Sequence, residues 1–117
     1  MQENEDISKT INLEIYFKEY DERLDWLKET SARLVEINRE YEEKFPKLLQ
    51  KAIEDNVDFK ALYGGNTEKT RKKYVDEQLS ELILEKEKLE LFKSDDIRRV
   101  EFLKKIIDMD IALLKFL

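Results

Sequence analysis

A chain of 117 residues, 43% charged and 41% hydrophobic, with two Gly and one Pro, has the length of one domain and too few turn residues for anything but an all-α fold. It has no Cys and no His, which excludes disulfides, thiolate or imidazole catalysis and the usual zinc ligand sets. The net charge of −6 arises entirely in residues 1–60, where 16 acids face 10 bases, while residues 61–117 balance at 12 of each, so a basic surface spanning the whole molecule is excluded.

So charged a chain invites disorder, but its apolar residues are placed periodically, which argues for folded helices. Met1 is followed by Gln2-Glu3-Asn4-Glu5-Asp6, the opposite of a cationic leader, and no apolar run approaches membrane-spanning length. The chain is expected to be cytoplasmic, without membrane contact and without a cofactor.

Ser8-Lys9-Thr10 offers a helix start, and the spacing predicts a helix over about 8–45. One seam position holds Leu13, Tyr20, Leu27, Leu34, Tyr41 and Leu48; the other is expected to hold Phe17, Leu24, Ser31, Asn38 and Phe45. Ser31 and Asn38 would then be polar seam residues that set register. Glu14/Lys18, Glu19/Arg23, Glu29/Arg33 and Glu40/Lys44 place an acid four residues ahead of a base. Trp26 falls outside this seam, and Glu22, Glu29, Glu36 and Glu43 recur every seven residues on the far face. Such a carboxylate rail, with Trp26 as an anchor, is a candidate partner-binding surface that imitates a phosphate backbone; the plain alternative is a solvated outer face.

Pro46 lacks the amide proton a helix needs and disfavours helical geometry at Phe45, so the first helix is expected to end or kink there. A short helix is predicted over about 47–54 and a turn over 55–66, with Gly64 as a left-handed cap after Phe59-Lys60-Ala61-Leu62-Tyr63.

Asn66 or Thr67 can cap a last helix over about 67–116, with a kink allowed at 93–96, where Ser94 is a capping residue and Lys93 and Asp96 interrupt the stripe. At its start, Gly64, Gly65, Asn66, Thr67, Lys69, Arg71, Lys72 and Lys73 form a candidate phosphate-binding element, a glycine turn feeding a cationic helix N-terminus. The spacing does not match the P-loop, and a capped helix start with solvated bases is the bland alternative.

The apolar stripe Val75, Leu79, Leu82, Leu89, Val100, Leu103, Ile107 and Leu114, reaching to Leu117, covers the first helix. A second stripe of Phe102, Ile106, Met109, Leu113 and Phe116 points roughly 120° away from it. One neighbouring helix cannot cover both. With Leu84 and Leu91 on the outer face, this stripe is the expected homodimer interface. The fold read from these patterns is one helical domain over 1–117: a long antiparallel hairpin with a short helix near its turn, dimerising into a four-helix assembly.

The segment F-K-A-L-Y-G-G-N-T-E-K-T-R-K-K-Y at 59–74, followed by a charged heptad helix and D-D-I-R-R-V-E-F-L-K-K at 95–105, resembles small helical proteins of unassigned role encoded by phages and mobile elements of Gram-positive bacteria. The resemblance covers the second half of the chain. It implies an early-region accessory protein acting on host replication, recombination or defence machinery, and it carries no catalytic signature. The expected function is a non-catalytic interaction module that binds and modulates a protein partner such as a nucleic-acid enzyme. The alternative is a nucleic-acid-binding accessory factor using the 64–74 element; the acidic balance counts against it, and carboxylate-only catalysis ranks behind both.

Overall fold

The computed structural model describes the backbone of residues 2–116 and the side chains of residues 12–116. Four helices follow one another: α1 (Gln2–Glu54), α2 (Phe59–Tyr63), α3 (Glu68–Gln78) and α4 (Ser80–Leu114). The described residues include no strand, as the scarcity of Gly and Pro predicts. Leu117 of the first α4 stripe and the side chains of the expected Ser8–Thr10 cap lie outside the described residues; the α1 backbone is already helical at Gln2.

Pro46 neither ends nor divides α1, which runs through it to Glu54, so the separate helix expected over 47–54 is the last part of α1. Pro46 is exposed, and so is Glu42, whose carbonyl loses its helical donor; water can take the place of the missing amide. Beyond the proline, half-buried Leu48 and Leu49 and buried Ala52 hold the continuation in place. The expected turn itself contains α2. Asp58 caps it by accepting from the Ala61 amide at 3.0 Å, and Gly64 closes it in the left-handed conformation at φ 81, donating to Lys60 O at 2.8 Å.

The long last helix is interrupted at Leu79, not at 93–96. Neither Pro nor Gly enforces the break. The Leu79 amide still donates to Val75 O and its carbonyl still accepts from Ile83, both at 3.0 Å, so the backbone is distorted without being turned. Through 93–96 the helix is continuous because Asp96 finds a cation across the seam, as described below.

The contacts group the chain into two compact units: residues 1–31 with 91–117, and residues 32–90. In the second, Leu34, Ile37, Ala52, Phe59, Val75 and Leu79 are buried around α1, α2 and α3. The Phe59 and Tyr74 rings meet edge to face at 5.6 Å. The Tyr41 hydroxyl donates to Asp76 at 2.6 Å; burial, then this bond, push its pKa up to about 12. Arg33 forks onto Glu85 at 2.7 and 3.0 Å, which raises the Arg33 pKa and lowers that of Glu85. Arg33 thus faces Glu85 and Glu36, not the Glu29 expected from local spacing.

One edge of the α1 seam is the one expected, with Leu34 buried and Leu13, Tyr20, Leu27, Tyr41 and Leu48 half-buried. The other edge is shifted by one residue. Ile37 is 1% exposed and Tyr16, Arg23 and Thr30 are half-buried, whereas Phe17, Leu24 and Asn38 are exposed; Ser31 and Phe45 are half-buried as expected, and with Lys44 exposed the shift ends before Phe45. Asn38 is therefore no buried register residue. It lines an open groove of about 420 Å³ with Tyr41, Lys72, Asp76 and Ile83.

Candidate functional site

In the first unit, α1 and α4 run antiparallel and are tied by charges set into their seam. Arg99 forks onto Glu19 at 2.8 and 3.0 Å, while Arg23 donates to Glu19 at 3.0 Å and to Asp96 at 2.7 Å. The Arg99 hydrogen bond is the main cause that brings the Glu19 carboxyl down from the usual 4.5 to about 2, with Arg23 adding to it against a burial penalty. Both arginines are half-buried, and the Arg99 guanidinium lies 5.3 Å from the Phe102 ring centre. Only Leu103 and Ile107 are buried here among the described residues.

The expected second stripe is uncovered. Phe102 is 51% exposed, Met109 64%, Leu113 55% and Phe116 89%, with Ile106 half-buried at the edge of the seam. Leu91 is exposed on the outer face of α4 in this unit, and Leu84 is exposed in the other. Seven further apolar side chains of this unit escaped the sequence reading as surface: Phe17 and Leu24, assigned there to the seam of α1, Leu114, assigned to the stripe that covers it, and Ile15, Phe92, Ile97 and Ile111. The one-residue shift of the α1 edge displaces the first two. The half-buried Tyr16 and Arg23 were its available signal, since amphipathic side chains can line a seam with their stems.

Trp26 is 51% exposed, with the Arg23 guanidinium 5.8 Å from its ring centre. Glu22 and Glu29 in the first unit and Glu36 and Glu43 in the second are all exposed, and of the four only Glu36 makes an ion pair among the described residues, to Arg33 at 3.2 Å.

At the start of α3 most of the candidate phosphate donors are engaged within the chain. Thr67 and Thr70 form a reciprocal capping box: the Thr67 amide donates to the Thr70 hydroxyl at 2.9 Å and the Thr70 amide to the Thr67 hydroxyl at 3.2 Å. Arg71 donates to the Asn66 side chain at 2.8 Å, Lys72 pairs with Asp76 at 3.2 Å, and the Lys73 ammonium sits 5.2 Å from the Tyr63 ring centre. Lys69 is exposed without an ion-pair partner among the described residues. Gly64 and Gly65 close α2 and lead into this cap.

No group of three or more acidic side chains is placed to hold a metal ion among the described residues, and no helix is long and apolar enough to cross a membrane. No protein-family model, curated protein or solved structure matches the chain.

Proposed function

We propose that the chain is a non-catalytic protein-interaction module: a helical hairpin that self-associates through α4 and, as a dimer, binds and modulates a second protein. The observation that carries this reading is the uncovered stripe of Phe102, Ile106, Met109, Leu113 and Phe116 beside a core in which only Leu103 and Ile107 are buried in that unit. A large apolar side chain contributes roughly 1.5–3 kcal/mol when fully buried, an upper estimate before the cost of association, and a two-fold contact buries each such side chain twice. A second copy brings the same outward face of α4, and a closed two-fold pairing covers apolar surface on both copies at once, giving four helices in the interface region.

The heterologous partner is read from α1. Glu22, Glu29, Glu36 and Glu43 stand exposed with Trp26 nearby in sequence, which suits a basic groove such as that of a nucleic-acid enzyme or defence factor. An accessory role of the kind phages and mobile elements encode follows from the resemblance of residues 59–105 and from nothing else.

Light scattering at micromolar concentration should give the mass of a dimer for the native chain and of a monomer for the Phe102→Glu/Met109→Glu/Phe116→Glu variant. A monomeric native chain would remove self-association. Reversing Glu22, Glu29, Glu36 and Glu43 to Lys should abolish capture of the host partner with helicity unchanged. The alternative, nucleic-acid binding by the 64–74 element, predicts gel shifts of DNA or RNA that weaken steeply with salt; none is expected at physiological salt.

A further inference from the structure

The outward side of α4 in the first unit carries a second kind of pattern. At about 100° per residue, Leu91, Asp95, Arg98 and Phe102 lie along one side of the helix, away from the seam of Asp96, Val100, Leu103 and Ile107. They are spaced four, three and four residues apart, and all four are exposed. Reversing the helix leaves the spacing unchanged and exchanges acid with base and leucine with phenylalanine. Neither Asp95 nor Arg98 has an ion-pair partner among the described residues, although their neighbours Asp96 and Arg99 are both paired across the seam.

A strip with this symmetry is complementary to itself in one orientation. Laid antiparallel on a second copy, each acid meets a base and each Leu91 meets a phenylalanine, which is the reciprocity a two-fold contact requires. Laid parallel in register, acid meets acid and base meets base.

We propose that two copies associate through the outward faces of α4, antiparallel, about a two-fold axis midway between Asp95 and Arg98. Asp95 pairs with Arg98 of the partner subunit, and Leu91 packs on Phe102 of the partner subunit, each contact occurring twice. This rests on the self-association proposed above and adds its orientation and register.

Charge exchange tests it. Asp95→Arg or Arg98→Asp alone gathers four like charges at the axis and should weaken dimerisation roughly tenfold by sedimentation equilibrium. An equimolar mixture of the two variants should recover the native affinity as a mixed dimer, identified by native mass spectrometry, because each new arginine then meets an aspartate. The chain has no native Cys, so Leu91→Cys mixed with Phe102→Cys should cross-link on oxidation, while Leu91→Cys alone should not. Both charged positions are exposed, and unchanged helicity by circular dichroism confirms that the variants fold. Native-like dimerisation of both charge variants, or self-cross-linking of Leu91→Cys, overturns the antiparallel register. If the Phe102→Glu/Met109→Glu/Phe116→Glu variant is monomeric in the same experiment, self-association stands without it. A monomeric native chain overturns both.

Discussion

The two units are built from the same two long helices yet treat apolar surface differently. Residues 32–90 bury six apolar side chains and leave four large ones exposed, whereas residues 1–31 with 91–117 bury two and expose thirteen, counted among the described residues. The difference comes from what the second unit has in addition: α2 and α3 lay Phe59 and Val75 onto α1, while the first unit has one helix against another and no third element. A pair of helices covers one stripe on each and leaves every further stripe in water.

The sharpest way to break this comparison is to damage each core in turn. Phe59→Ala should cost about 3–5 kcal/mol and Leu103→Ala about 2–5 kcal/mol in urea denaturation. The two should differ in their dependence on protein concentration. Under the proposed self-association, hydrogen exchange in 91–116 should slow as concentration rises, while exchange in 32–90 should not respond. Equal responses in both units would erase the distinction.

A smaller effect separates the units by pH. Folding lowers the Glu19 pKa from 4.5 to about 2, so the folded state resists protonation more than the unfolded one. The stability this contributes is complete above pH 4.5 and is lost as pH falls toward 2. Glu19→Gln should cost about 1 kcal/mol at neutral pH, and its denaturation midpoint should fall less than that of the native chain across the same acid window. The smallest effect lies in the second unit. Gly64→Ala at φ 81 should cost about 0.5–1 kcal/mol in thermal denaturation, through backbone strain alone because nothing crowds an added Cβ.

Much of this was readable from residue order, and the misreadings share a cause. The Leu13–Leu27–Leu34 edge and the Val75–Leu103–Ile107 stripe stand out because apolar spacing is a strong signal over many turns. The second α1 edge was misplaced because Phe17 and Leu24 are more hydrophobic than Tyr16 and Arg23. A cross-seam hydrogen bond outweighs that preference: Arg23 reaches Asp96 on α4 while also donating to Glu19 on its own helix. Pro46 was read by its local rule, and exposure on the outside of a well-anchored helix overrode it. The break at Leu79 has no signature in Pro or Gly. The uncovered stripe on α4 was legible as a surplus of apolar residues that one neighbouring helix cannot cover.

A seam made of leucine alone is nearly indifferent to sliding, since a shift of one heptad sets apolar residues against apolar residues again. The lattice of Glu19, Arg23, Asp96 and Arg99 is not indifferent. After such a slide Arg23 would sit opposite Leu89 or Leu103, Glu19 opposite Phe92 or Ile106, and four half-buried charges would lose their partners together. In mechanical terms the lattice acts as a ratchet tooth. It adds little to how tightly the helices hold, and it leaves them only one position along their length in which to hold.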